Sequence, residues 1–273
     1  MKNKEWTEVS FEEVNCFRCG IKGHLLYNQG PFRVIECSQC GQVFISPRLK
    51  EIARKRMYEN SGYFDEGIYG FSKKFSLALI PQKIWSYSRL NLIRHLLKGD
   101  IKGKKLLEIG CAYGLFLEIS RQKGFEVTGI EYSYTAVKWI RKNLGLNVYY
   151  GEIEKIRLQE NDYDIICFWD VIEHVEDPGL FLKSVSRIIK ENGFIIFSCP
   201  YFNSLPASIL KSKWWTLKPE QHLWHFTLNT LDMVFSDSKL QLIRVIKSPF
   251  SLVNFSRFDS IVGIAKKSKR IKG

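Results

Sequence analysis

The sequence has no apolar run near the roughly 20 residues that an α-helix needs to cross a bilayer. Its first stretch, MKNKEWTEVSFEEV, holds no apolar core of a secretory leader. Together these absences make the cytoplasm the expected compartment. Internal repeats are missing, which sets aside repeat architectures, and low complexity is confined to the tail KKSKRIKG. A disulfide framework is not expected either. Of the seven cysteines, four fall in two Cys-x-x-Cys pairs, and in a reducing compartment that pattern favours metal binding.

What is present is a chain of 273 residues, 45% hydrophobic, enough for one well-buried α/β domain with a small appendage. The net charge of +13 is unevenly spread. Residues 200–273 hold twelve Lys/Arg against four Asp/Glu, whereas residues 101–199 hold thirteen against fourteen. A basic C-terminal part suits an acidic partner: a phosphorylated or carboxylated substrate, nucleic acid, or a membrane surface. A merely solvated basic face is the bland alternative.

Along the chain, residues 11–45 carry the two cysteine knuckles, NCFRCG and IECSQCGQVF. Residues 46–82 read as a linker with a short helix and an aromatic loop in which Tyr63, Phe64 and Tyr69 are candidates to cap a site. Over 83–98, Ile84, Leu90, Ile93 and Leu97 share one helical face. From 105 onward, apolar runs at 105–109, 126–130, 147–150, 164–168 and 193–199 alternate with helical segments. That alternation predicts parallel strands with crossover helices. The fold class expected is α/β, a doubly wound, Rossmann-like, mostly parallel sheet over residues 83–265. Strands near 241–247 and 259–265 give it an antiparallel edge. An aromatic insert, 201–226, interrupts it, and a basic tail, 266–273, follows.

The stretch KKLLEIGCAYGLFLEI, residues 104–119, organises the domain. A buried strand ends beside Glu108, a turn holds Gly110 and Gly114, and a helix begins. A dinucleotide fold needs a middle glycine so that backbone can press on a pyrophosphate. Here that position is Ala112, and Glu108 would repel a pyrophosphate. A cationic cofactor with an ammonium and no phosphate fits better, and S-adenosylmethionine is such a molecule. After the second strand, Glu131 is placed to accept ribose hydroxyls. The segment DYDIICFWDVIEHVEDP then brings Trp169, Asp170, Glu173 and His174 to the carboxyl end of the fourth strand, where open α/β sheets bind ligands.

Residues 104–199 resemble class I S-adenosylmethionine-dependent methyltransferases. LLEIGCAYG is similar to that family's first motif and GIEYS to its ribose-binding acid. YYGEIE resembles the adenine-side loop, FWDVIEHVEDP the fourth-strand motif, and IIKENGFIIFSCP the fifth strand. The resemblance implies Glu108, Gly110, Cys111 and Gly114 around the methionine moiety and Glu131 with Tyr132 at the ribose. It further implies Glu152 or Ile153 near the adenine, and Trp169 and Asp170 lining the donor pocket. The N-terminal cysteines, FISPRL, the YF segment and WW…PEQHLWHFT extend the likeness to a subgroup with an N-terminal zinc ribbon, met among enzymes of glycoconjugate and cell-surface biosynthesis.

Cys16, Cys19, Cys37 and Cys40 have the C-x2-C…C-x2-C spacing of a closed tetrahedral Zn²⁺ site, which is structural rather than catalytic. Cys111, Cys167 and Cys199 read as small core residues. Methyl transfer to oxygen or nitrogen also releases a proton, so a base tuned near neutrality is sought. His174 and His222 are the candidates, with His225 in the same insert and Glu173 as an alternative base or orienting group. Trp214 and Trp215 with Lys211, Lys213 and Lys218 could stack a sugar or a base, or meet a membrane interface. The leading expectation is methyl transfer to a small or lipid-linked, acidic acceptor, foremost a sugar. An RNA methyltransferase gripping phosphates with ribbon and tail is second, and a non-enzymatic methyltransferase-like scaffold is third.

Overall fold

The computed structural model describes residues 10–60, 80–247 and 259–268; Tyr63, Phe64 and Tyr69 lie outside them. From the N-terminus, β1 (Phe11–Glu12) pairs antiparallel with β5 (Arg48–Leu49), and between them run β2 (Gly23–Gln29), β3 (Phe32–Cys37) and β4 (Val43–Ile45). Helices α1 (Glu51–Asn60) and α2 (Ile80–Leu96) lead into the large domain.

There, β6 (Lys105–Ile109), β7 (Glu126–Glu131), β8 (Asn147–Tyr150), β9 (Tyr163–Trp169) and β10 (Ile189–Pro200) are all parallel. Their crossovers are α3 (Leu115–Gln122), α4 (Tyr134–Leu144) and α5 (Pro178–Ile188). β12 (Leu240–Lys247) and β13 (Ser260–Lys267) add the antiparallel edge, giving the order β12-β13-β10-β9-β6-β7-β8. Strand order reverses beside β6, so the crevice above β6 is where such a sheet takes its ligand.

Local sequence explains the helix starts. Ser133 caps α4 by accepting the Ala136 N–H, and Asp177 caps α5 by accepting the Leu180 N–H at 2.9 Å with Pro178 in the first turn. α2 differs from the expected face. Leu90 and Ile93 are buried, but Ile84 is 52% exposed, because burial in this helix begins only at Ser86.

The cysteine module does not stand by itself. Its sheet, ordered β11-β4-β3-β2, takes its fourth strand from the aromatic insert: β11 (Trp224–His225) pairs with Val43 and Phe44. Gln42 Nε2 donates to the His225 carbonyl at 3.0 Å across 183 residues of chain. Trp224 pins the two bodies. It is buried, donates to the Val175 carbonyl at 2.8 Å, and meets Phe17 edge-on with ring centroids 4.8 Å apart. Cys16, Cys37 and Cys40 consequently share one apolar core with Trp224 and Phe181. The rest of the insert begins with α6 (Leu205–Leu210), and α7 (Leu228–Asp237) returns the chain to β12.

Replacing a buried tryptophan by alanine typically costs about 3–5 kcal/mol. Trp224→Ala is expected to lose that much in equilibrium denaturant unfolding, with the ribbon and the large domain melting as separate transitions. A single transition with under about 1 kcal/mol lost would show that the two bodies do not depend on this contact.

Candidate active site and cysteine cluster

The turn after β6 is built from left-handed backbone: Gly110, Ala112 and Gly114 have φ of 74°, 47° and 75°. Gly110 is obligatory, since a Cβ there would stand 2.6 Å from Val171 Cγ2. The turn is held by Glu131, whose Oε2 accepts the Ala112 N–H and whose Oε1 accepts the Ser133 N–H, both at 2.8 Å. One side chain thereby fixes the non-glycine left-handed residue and the exit of β7 together.

Glu108 and Glu131 are both buried here. Burial pushes the Glu108 carboxyl up to about 8, against the pull of the nearby Arg89 cation and with a further push from Glu131. Burial likewise raises Glu131 to about 7, opposed by the backbone N–H groups of Ser133, Ala112 and Tyr132. Among the described residues, Glu108 Oε2 has no hydrogen-bond partner. An unsatisfied buried carboxyl oxygen beside the turn suits a further hydrogen-bond donor.

A cavity of about 360 Å³ opens at the carboxyl ends of β6, β7 and β9. Of the residues expected at the donor, Gly110, Glu131, Tyr132, Glu152, Ile153, Trp169 and Asp170 line it. Glu108, Cys111 and Gly114 are not on its lining; Cys111 is buried behind the turn, its sulfur 2.9 Å from where a Cβ on Gly129 would sit. Asp170 takes φ of 54°, and its Oδ1 accepts the Ser198 hydroxyl at 3.0 Å. The guanidinium of Arg89 lies 4.3 Å above the Trp169 ring.

Sequence reasoning missed two parts of this wall, and Arg89 beside it. Val175, Leu180 and Phe181 form an apolar side, and Glu51 and Arg54 enter from α1. Leu180 and Phe181 were legible in principle, as apolar residues in the first turn of a helix capped by Asp177 at the fourth strand's end. Arg89 carries no comparable mark, and neither does Arg54, which with Arg48 pairs with Glu176.

The histidines separate. His174 lines the cavity, and its Nδ1 is 2.9 Å from the Gln221 carbonyl. A carbonyl only accepts, so Nδ1 carries the proton and Nε2 is the acceptor nitrogen. His222 stands behind it, off the cavity lining, with Nδ1 2.7 Å from the Thr216 carbonyl and its ring edge-on to His174 at 4.7 Å. Glu173 is buried, with Oε1 4.0 Å from His174 Nε2. Burial drives His225 down to about 3, so it is neutral in the core. The two adjacent tryptophans also part: Trp214 is buried with its indole donating to Asp259 at 2.7 Å, while Trp215 faces solvent rather than the cavity.

In the ribbon, one sulfur of each of Cys16, Cys19, Cys37 and Cys40 lies within 4.8 Å of the others, with Cys16 and Cys40 3.6 Å apart. A tetrahedron of four sulfurs about 2.3 Å from a metal has edges of about 3.8 Å, so the cluster fits one. Both knuckles turn alike: the Gly20 N–H donates to the Cys16 carbonyl and the Gly41 N–H to that of Cys37, with φ of 69° and 71°.

A family described as "Methyltransferase domain" matches residues 85–245. The chain belongs to that family. Curated relatives include the "Ubiquinone biosynthesis O-methyltransferase" of Bordetella avium, 31% identical over 128 residues (45% of this chain, 52% of that protein). The protein of the same name from Alkalilimnicola ehrlichii is 32% identical over 128 residues, 45% and 51% of the two chains. The chain thus spans about half the length of these relatives. Among solved structures, magnesium protoporphyrin IX methyltransferase from Synechocystis, with bound SAH, superposes with a TM-score of 0.59 at 16% identity, covering 80% of this chain and all of that one. An S-adenosylmethionine-dependent methyltransferase from Mesorhizobium loti gives 0.52 at 16% identity, over 66% and 98%. These likenesses show a methyltransferase fold; the family match begins after the ribbon.

The buried acids make a signed pH dependence. For a carboxyl whose folded pKa lies above its ordinary value of 4.5, the stabilisation is complete below that value and is lost as pH rises through the folded pKa. The ligand-free protein should therefore melt at progressively lower temperature from about pH 5 to pH 8.5. Glu108→Gln should flatten that slope in thermal melts; an unchanged slope would remove Glu108 as its source.

Proposed function

We propose that the protein transfers a methyl group from S-adenosylmethionine to a small-molecule acceptor. The observation that carries this reading is the cavity at the carboxyl ends of β6 and β7, with Gly110, Ala112 and buried Glu131 on its wall and Ala112 where a dinucleotide fold needs a glycine. A pyrophosphate there would bring more negative charge against Glu108 and Glu131, whereas an ammonium and a sulfonium neutralise them. Gly110 would meet the methionine end, with the buried carboxyl of Glu108 just before it in the chain. Glu131, which lines the cavity, would accept from the ribose. Ile153, Val175, Leu180 and Phe181 offer an apolar wall suited to the base. When bound, the cofactor supplies an electrophilic methyl carbon.

The chain's own part in the transfer is positioning and proton acceptance. His174 lines the cavity, and in its neutral form the Gln221 carbonyl fixes the ring proton on Nδ1, so it is the group we assign to take the acceptor's proton. His222 supports that ring from behind and acts as a positioning residue. The names of the curated relatives support an acceptor hydroxyl on a small molecule. A sugar is the narrower reading that the motif pattern suggests. RNA is less well supported: Lys266 already stacks on Phe194 at 3.9 Å and Lys267 pairs with Glu191 at 3.2 Å, at the end of the sheet opposite the cavity.

For the four cysteines we propose a structural Zn²⁺. A closed set of four thiolates leaves no open position for chemistry, and its effect is to hold the knuckles on which β11 and Trp224 rest.

Calorimetry should show S-adenosylmethionine binding and no NAD binding. His174→Gln should lower turnover by about 10²–10⁴-fold with donor affinity unchanged. Loss of donor binding instead would move His174 to the cofactor site, and full activity on the true acceptor would exclude it as the base. Elemental analysis should give one zinc per chain, and chelation should lower the melting temperature; a metal-free protein melting at the same temperature would rule out the structural role.

A further inference from the structure

The aromatic insert carries a surface that methyl transfer does not use. On α6, Leu205 and Ile209 stand four residues apart on one helical face and are 74% and 68% exposed, and Trp215 shortly after is 56% exposed. No acidic residue occurs between Tyr201 and Pro219, while Lys211, Lys213 and Lys218 are all exposed. The segment is firmly seated. Ala207, Trp214 and Leu217 are buried and form one apolar cluster with Phe32 and Val34 of the ribbon. Trp214 and Thr216 both donate to buried Asp259. The three outward apolar side chains are therefore presented from a braced scaffold.

Single exposed apolar residues are ordinary. Three large ones in so short a segment, accompanied by cations of one sign and no acid, match what a bilayer boundary accepts. Apolar and indole groups enter the headgroup region, and lysines face anionic lipid phosphates. The charge complement argues for lipid over a protein partner: the chain carries +13 overall, and the segment offers no carboxylate to any basic group opposite.

We infer that residues 205–218 dock the protein on an anionic membrane surface, with Leu205, Ile209 and Trp215 inserted and Lys211, Lys213 and Lys218 against the headgroups. The inference goes beyond methyl transfer and does not depend on it. It bears on the site only through chain continuity: Gln221, whose carbonyl holds His174, follows within a few residues, so docking would bring a lipid-borne acceptor close to the cavity wall.

The test is co-sedimentation of the full chain with vesicles of phosphatidylcholine alone and with about 30% phosphatidylglycerol, at about 0.05 and 0.5 M salt. Partition onto the anionic vesicles is expected at low salt, at least about tenfold weaker on the neutral ones and at high salt. Leu205→Ser/Ile209→Ser/Trp215→Ser should abolish it, and Lys211→Glu/Lys213→Glu/Lys218→Glu should remove the salt-sensitive part. All six side chains are exposed, so melting temperature and donor binding should stay as in the parent; those readouts separate a failed surface from a failed fold or a failed cofactor assignment. Equal binding to neutral vesicles, no binding to anionic ones, or unchanged binding by the serine variant would each overturn the inference. So would light scattering that shows the patch instead joining two copies of the chain.

Discussion

The carboxylate of Glu131 is the contact on which the site depends. Its two oxygens accept N–H groups from Ala112 and Ser133, at the turn after β6 and the exit of β7. That bridge holds Ala112 in a left-handed conformation which a residue with a Cβ seldom adopts unaided. It keeps the turn open as a cradle and buries a charge beside Glu108. Burial raises both carboxyls above the usual carboxylate range, and a cationic ligand would favour their ionised forms. The proposed preference for a methyl donor over a dinucleotide rests on these electrostatics.

The second dependence runs through Trp224. A cysteine module of this size has too little apolar surface to hold itself together, and here it borrows β11 and the Trp224 indole from the large domain. The arrangement works in both directions. The same insert that completes the ribbon sheet also carries Gln221, whose carbonyl sets the tautomer of His174, and His222, which stands against its ring. A structural metal in the knuckles would therefore support the acceptor wall without touching it, through a strand of only two residues.

Charge is sorted by place. The cavity gathers carboxylates at the carboxyl ends of the strands, the insert shows lysines and apolar side chains to solvent, and the described lysines of the C-terminal strand are spent on local partners at the far end of the sheet. An overall basic chain is thereby divided into an anionic pocket for a cation and a cationic surface for an anionic partner.

The sequence by itself determined the features that are local. Strands at 105–109 and 147–150 are legible because a buried run between turn residues has few other forms, and the Glu108–Gly110–Gly114 turn because its strain is contained within seven residues. The cysteine spacing is equally self-evident. Tertiary structure alone decided what distant segments do together. A two-residue strand such as Trp224–His225 has no periodicity to read, and its pairing with Val43 and Phe44 exists only once the large domain has placed it. Arg89 above Trp169 is an ordinary helical arginine until α2 docks. His174 and His222 look alike in sequence, yet one reaches the cavity and the other stands behind it. Trp214 and Trp215 are neighbours with opposite fates, because buried Asp259, far along the chain, supplies a hydrogen-bond acceptor for one indole and leaves the other in solvent.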